Sequence, residues 1–202
     1  RFEKVGKIKN SSKVILDYAH TPDALKTCLL NLREQFPNKN IKVLFGCGGN
    51  RDHNKRSKMG KIASHYADNI ILTNDNPRLE NPEKIRKDIK KGIKNKRIIE
   101  ISDRATAISE AIKNLNTGDV LLVAGKGHEK IQEIGNKRIY FSDKQVILNK
   151  IKIKNRNLSY DLKLNAIKEV ARIQKLSRSI SIETARINSQ EVSKNDIFFA
   201  IK

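Results

Sequence analysis

KVILDYAHTPDALKTCLLNLREQF, residues 13–36, contains a complete strand-to-helix unit. KVILDY is a short apolar run with β-branched members, which predicts a buried strand. Thr21 suits an N-cap and Pro22 the first helical position. Leu25, Cys28, Leu29, Leu32 and Phe36 then recur at helical spacing, and PNKN (37–40) breaks the helix. Between strand and helix lies DYAHTP, a polar cluster where the strand exits.

The same unit repeats outward. IKVLFG (41–46) is a strand, followed by the glycine-rich GCGGNRDHNKR (46–56) and a helix over about 57–67 with Met59, Ile62, Ala63 and Tyr66 on one face. NIILTN (69–74) is a third strand, with NDNPR at its exit. Asn81 and Pro82 start a helix carrying Ile85, Ile89 and Ile93. RIIEI (97–101) is a short strand, and Ser102 caps a helix with Ala105, Ile108, Ala111, Ile112 and Leu115. DVLLVAG (119–125) is a strand running into KGHEK. IQEIGNKRIYF (131–141) reads as a hairpin around Gly135-Asn136, and Ser142 or Asp143 starts a last short helix to about 151.

Strands alternating with helices predict an α/β fold: a Rossmann-like, mostly parallel sheet flanked by helices, with a C-terminal hairpin. Such sheets bind ligands beyond the carboxyl ends of their strands. DYAHTP, GCGGNRD, NDNPR and AGKGHE all fall at strand exits, hence on one rim.

Composition narrows the function. Of 202 residues, 38% are hydrophobic and 5% aromatic, so the core is aliphatic and β-branched. A chain this long holds one ordinary domain with some residues to spare. No run approaches the roughly 20 apolar residues that span a bilayer, and RFEKVGKIKN lacks the apolar stretch of a signal peptide. The chain lacks an initiator Met, so it reads as cut from something longer. Cys28 and Cys47 lack metal-ligand spacing and read as reduced thiols of a cytoplasmic protein. The net charge of +20 is spread through every segment rather than gathered on one stripe. That argues against a specific nucleic-acid partner and suits anionic small molecules.

GCGGNRD is neither GxxxxGK[ST] nor GxGxxG, and the first pattern occurs nowhere in the chain. It reads either as a tight turn or as a loop that brings backbone and Arg51 to a ligand. Asp17 reads as a turn residue or as an acceptor for ribose hydroxyls. Lys126 and His128 read as phosphate contacts or proton carriers, with a structural His128 the blander reading. In NDNPR, Pro77 fixes its own φ and biases Asn76 toward extended backbone, holding Asn76 and Arg78 in a defined relation. Arg78 offers a fork for a carboxylate, Asn76 a donor and an acceptor, and Glu129 an anion for an ammonium group. Together with Arg51, this set is complementary to an amino acid with an extra carboxylate.

DYAHTPDAL, FGCGGNRD, DNPR, VAGKGHE and YFSDKQV, in this order and spacing, resemble the C-terminal domain of the Mur ligases, in the branch that adds meso-diaminopimelate. The resemblance covers about residues 1–150. It implies an ATP-dependent ligase of peptidoglycan precursor synthesis, acting on a UDP-sugar dipeptide. Its central domain would supply the P-loop, the Mg2+ ligands and a carbamylated lysine, none of which lies in this sequence, so the fragment alone should not turn over. The resemblance further implies that Arg51, Asp75, Asn76, Pro77, Arg78, Gly125 and Glu129 hold meso-diaminopimelate. Arg1, Asp17 and His20 would touch ATP, and no metal ligand or catalytic residue is assigned in this stretch.

The division expected is 1–151 for this domain, 152–161 (KIKNRNLSYD) for a linker, and 162–202 for the incomplete start of a second Mur ligase N-terminal domain, a truncated α+β tail. INSQEVSKNDIFFAIK (187–202) resembles the first-domain signature of the family and implies a covalent fusion to the enzyme adding D-alanyl-D-alanine. Gln190 stands there where the family has Arg, and Asn195 where it has Gly. The rival readings are a standalone nucleotide- or amino-acid-binding module without catalysis, a nucleic-acid-binding protein, and a Mur-type ligase for another amino acid.

Overall fold

The computed structural model describes residues 2–171, 184–186 and 196–198, with side chains described for 2–159 and 161. The chain divides into two compact units, Arg1–Lys154 and Asn155–Lys202.

In the first unit the elements run β1 (Glu3–Lys4), β2 (Lys13–Asp17), α1 (Pro22–Gln35), β3 (Ile41–Phe45), α2 (Asn54–Tyr66), β4 (Asn69–Leu72), α3 (Pro82–Lys90), β5 (Ile98–Glu100), α4 (Arg104–Lys113), β6 (Val120–Ala124), β7 (Ile131–Ile134) and β8 (Lys137–Tyr140). A further helix, α5, spans Asp143–Ala171. Six strands form one sheet in the order β1-β2-β6-β3-β4-β5, parallel except for β1. β7 and β8 form a separate antiparallel hairpin. This is the α/β sheet and hairpin that the alternating pattern predicts.

The order of strands explains the placement of helices. From β2 the chain steps outward through β3, β4 and β5, with α1, α2 and α3 as the crossovers, then returns through α4 to insert β6 between β2 and β3. Right-handed crossovers in opposite directions put their helices on opposite faces. Accordingly Leu25, Leu29, Leu32, Met59, Ala63, Ile85 and Ile89 share a core with Ile15, Val43, Phe45, Ile70, Leu72 and Leu122. The alternate strand residues Leu44, Ile71, Leu121 and Val123 are buried as well, as are Ile108 and Ile112 of α4. Each such aliphatic side chain contributes about 1.5–3 kcal/mol through removal from water.

Local signals set most boundaries. Thr21 Oγ1 accepts from Ala24 N at 3.3 Å, and Asn81 Oδ1 from Glu83 N at 2.8 Å, each followed by Pro at the first helical position. Two boundaries differ from expectation. α4 is capped by Asp103, whose Oδ2 accepts from Thr106 N at 2.7 Å, not by Ser102. A carboxylate interacts more favourably with the positive helix end than a hydroxyl does, and the Ser102 carbonyl instead accepts from Asn74 N and Thr73 Oγ1. The last helix does not end near 151 but continues to Ala171. Residues 143–171 contain no Gly or Pro to stop it.

The second unit shows, beyond its share of α5, a parallel pair of short strands, β9 (Thr184–Arg186) and β10 (Asp196–Phe198). The signature-like run at 187–202, with Gln190 and Asn195, otherwise lies outside the described residues. No helix of the described residues is long and apolar enough to cross a membrane.

Candidate functional site

Register brings the strand exits level. Asp17 pairs with Ala124, Val123 with Leu44, and Phe45 with Leu72. The loops after β2, β6, β3 and β4 therefore leave the sheet side by side, as the four polar clusters require.

The loops after β3 and β4 then fuse. Gly49 N donates to Asn76 O at 2.9 Å. A Cβ at Gly49 would stand 1.9 Å from Pro77 O, so no side chain fits between the loops. The hairpin straps the other side. Gln132 Nε2 donates to Asp75 O at 2.7 Å, Arg78 N donates to Glu133 O at 3.0 Å, and Gly135 N to Arg78 O at 2.8 Å. Arg78 itself has φ +52, a left-handed conformation uncommon for a residue with a side chain. Backbone bonds on both sides hold it there.

At the centre, Lys126 is fully buried. Its Nζ donates to Asn76 Oδ1 at 2.9 Å, Glu129 Oε2 at 3.0 Å and Ile131 O at 2.6 Å. Asn76 Nδ2 donates to Glu129 Oε2 at 3.2 Å, and Asn76 Oδ1 also accepts from Glu133 N at 3.2 Å. Tyr18 OH reaches Glu129 Oε1 at 3.4 Å. Burial opposes the charge on Glu129, yet Lys126, Asn76 and Tyr18 together hold its carboxyl below the ordinary range. Burial pushes the Asp75 carboxyl up, against the pull of Arg104 and Lys126. Gly125, at φ +114, lies against Asp75: a Cβ there would meet Asp75 Oδ2 at 2.6 Å.

Arg78 stands at the edge of this cluster. Its Nη1 donates to Gly49 O at 3.0 Å and its Nε pairs with Glu133 Oε2 at 2.8 Å. It also walls an open cleft of about 380 Å³ with Asn50, Glu133 and Arg138. A Cβ at Gly48 would lie 3.0 Å from Arg78 Nη1 and 3.7 Å from Arg51 Cγ, so the two arginines flank the same glycine. Arg51 is exposed.

The structure thus brings Asp75, Asn76, Gly125 and Glu129 together, with Pro77, Arg78 and Arg51 alongside. Asp17 ends β2, and His20 lies in the loop that follows it. Asp17 Oδ2 accepts from Phe2 N. His20 Nδ1 lies 2.9 Å from Tyr18 O, so it carries the proton, and the His20 ring packs on Tyr18 with centroids 4.5 Å apart. His128 lies on the same tyrosine at 5.5 Å. Arg1 lies outside the described residues. Both thiols are free and buried, and burial pushes each up to about 12.

Sequence reasoning missed four supports. Lys126 is a saturated internal ammonium, not an exposed phosphate ligand. Glu133 and Tyr18 have no sequence mark beyond proximity to the clusters. Behind the site, fully buried Arg104 forks onto Asp143, Nε to Oδ1 at 2.8 Å and Nη2 to Oδ2 at 2.7 Å, and also donates to Ala124 O.

Comparison with known proteins bears on the family and the fold. Residues 1–127 match the family described as Mur ligase, glutamate ligase domain. UDP-N-acetylmuramoyl-L-alanyl-D-glutamate–2,6-diaminopimelate ligase of Chlorobaculum tepidum is 48% identical over 148 residues, 73% of this chain and 29% of that protein. Its counterpart in Rickettsia bellii is 49% identical over 147 residues, 72% of this chain and 30% of that protein. A solved structure of a ligase with the same name superposes with a TM-score of 0.70 at 40% identity, over 75% of this chain and 31% of that one. A murein peptide ligase from Psychrobacter arcticus shares the fold, with a TM-score of 0.54 at 16% identity over 74% of this chain. The chain spans under a third of the length of these relatives. On the family match and the shared fold, it belongs to the Mur ligases, and residues 1–127 are their glutamate ligase domain.

Proposed function

We propose that this chain is the amino-acid-binding part of an ATP-dependent ligase that adds meso-diaminopimelate to UDP-N-acetylmuramoyl-L-alanyl-D-glutamate. The observation that carries the reading is the pairing of Asn76 with Glu129 beside Arg78. An anion and two donor groups within one rim suit a zwitterion with a second carboxylate. Relatives bearing that enzyme's name support the choice of amino acid.

In this reading Arg78, Arg51 and Asn76 Nδ2 receive carboxylate oxygens, and Glu129 with Asp75 faces an ammonium group. Pro77 and Gly125 shape the backbone around them. ATP would transfer its terminal phosphoryl group to the glutamyl carboxylate, giving an acyl phosphate and ADP. The free amine of diaminopimelate would then attack the acyl carbon, lose a proton and expel phosphate. This domain's share is to hold the amine donor, with Asp17, His20 and Arg1 as proposed nucleotide contacts. The described residues contain no group of three or more His, Cys, Asp or Glu side chains placed to hold a metal. In this reading Mg2+ is held mainly by the family's central domain, which supplies the P-loop. We place the protein in the cytoplasm, where UDP-linked precursors are available. We also read residues 162–202 as the opening of a fused second Mur ligase, on the strength of INSQEVSKNDIFFAIK.

L-Lysine lacks the distal carboxylate and would leave Arg78 and Asn76 without their partner, a mismatch that discriminates by up to roughly 10⁴-fold in sites of this kind. Calorimetric titration of this chain with millimolar meso-diaminopimelate and L-lysine tests the reading. Heat with diaminopimelate alone, abolished by Arg78→Ala, is expected. Equal responses to both ligands, unchanged by Arg78→Ala, would overturn it.

A further inference from the structure

Lys126 makes no contact with solvent, yet it is an ion inside the site. An ammonium has three donors, and all three are used: Asn76 Oδ1, Glu129 Oε2 and Ile131 O. With no exposed face and no spare donor, it neither binds phosphate nor carries protons. Its effect falls on its neighbours.

Consider the Asn76 amide. Oδ1 accepts from two donors, Lys126 Nζ and Glu133 N. Turning the amide over would set its NH2 against an ammonium and a backbone N–H, leaving three donors facing one another in a buried place. The amide is thereby locked with Nδ2 outward. One Nδ2 hydrogen goes to Glu129 Oε2, which leaves the other for an incoming oxygen. Asn76 is ambidextrous by chemistry, but toward a ligand this setting leaves it only a donor.

Glu129 is fixed by the same ion. Lys126 and Asn76 both address Oε2, while Tyr18 OH addresses Oε1. Oε1 keeps acceptor capacity for a cation. The charged groups that act on the carboxylate are Lys126, Arg104 and Asp75, with the titratable Tyr18 beside them. Lys126 favours the ionised form of Glu129, whereas burial pushes the neighbouring Asp75 carboxyl up.

We propose that Lys126 is a positioning and specificity-determining residue, which sets the polarity of the amino-acid pocket by forcing Asn76 to donate and Glu129 to accept. The ligand it selects carries a carboxylate toward Asn76 and Arg78 and an ammonium toward Glu129. Its identification as diaminopimelate rests on the function proposed above, whereas the polarity of the two side chains does not.

The test separates those two claims. Lys126→Met keeps length and bulk while removing the charge. The Glu129 carboxyl is followed by 13C NMR across pH in the unliganded chain, and meso-diaminopimelate is titrated in parallel into wild type and variant. Expected are an upward displacement of the Glu129 titration in Lys126→Met and diaminopimelate binding weakened by about tenfold or more, the effect of losing one charged hydrogen-bond partner. A folded Lys126→Met with an unmoved Glu129 titration, or with wild-type affinity, would overturn the proposal. A wild type that does not bind diaminopimelate, yet shows the Glu129 displacement on mutation, would sink the choice of ligand and leave the positioning role standing. Should Lys126→Met not fold, unmodified protein decides. A slowly exchanging Lys126 ammonium resonance with a depressed Glu129 titration supports the role, and rapid exchange with an ordinary Glu129 titration refutes it.

Discussion

Asn76 and Glu129 are separated by 53 positions in sequence, yet Nδ2 of one donates to Oε2 of the other at 3.2 Å, over the buried ammonium of Lys126. Glu129→Gln removes the only carboxylate bonded to that ammonium among the described residues. Loss of the charged partner should destabilise the fold by about 1–3 kcal/mol, read as a lower urea midpoint at unchanged slope. The same variant should give no heat with meso-diaminopimelate.

The contact between the loops after β3 and β4 predicts an order among glycine variants. An added Cβ at Gly49 would meet backbone, Pro77 O at 1.9 Å, whereas at Gly48 the nearest atom is the end of the Arg78 side chain at 3.0 Å. Backbone cannot yield as a guanidinium can. Gly49→Ala should therefore lower Tm more than Gly48→Ala. Gly48→Ala should instead act mainly on ligand affinity, by displacing Arg78. Calorimetric melting and titration of both variants check the order.

Acid should weaken the fold through Glu80. Both of its oxygens accept from fully buried Arg56, at 2.6 Å each, and one also accepts from Asn50 N. The hydrogen bonds from Arg56, more than its bare charge, lower the Glu80 carboxyl from 4.5 to about 2 despite partial burial. A depressed carboxylate stabilises the fold fully above its unfolded value and loses that contribution as pH falls toward the folded one. Stability should thus drop from about pH 4.5 down to about pH 2, and Glu80→Gln should be less stable at neutral pH with a flatter profile in that window. Urea unfolding across pH, wild type against variant, measures the difference. Parallel profiles would refute it.

The Arg104–Asp143 pair has both side chains fully buried. Removing one member leaves an uncompensated internal charge, at a cost of about 3–5 kcal/mol. Asp143→Leu and Arg104→Met should each be strongly destabilising, and the double variant less so than either added to the other. Because Arg104 also holds Ala124 O, one residue before Gly125, Arg104→Met should weaken diaminopimelate binding too. A double-mutant cycle in urea gives the coupling.

Most of the fold was legible because its signals are local. Thr21-Pro22 and Asn81-Pro82 start helices as their chemistry requires, and Gly135-Asn136 turns the hairpin. Local signals did not fix the end of the last helix, because nothing in KIKNRNLSYD breaks one. Nor could they place β6 between β2 and β3, a choice settled by long-range pairing. The site was legible as four clusters, since unusual polar residues at strand exits stand out from apolar strands. Its internal ions were not. With 42 lysines and arginines in the chain, nothing in sequence distinguishes Arg56, Arg104 and Lys126 from those on the surface.

The insertion of β6 also sets an order in time. During synthesis β2 and β3 emerge before β6, but neither is the other's neighbour. Each presents an unpaired edge until Val120–Ala124 arrives between them. Unpaired edges invite wrong partners. The nascent chain is therefore exposed for the interval in which residues 46–119 are made, and it gains a closed sheet in one step. Lys126 and Glu129 follow within a few residues of that step, so the segment that completes the sheet delivers the wall of the pocket with it.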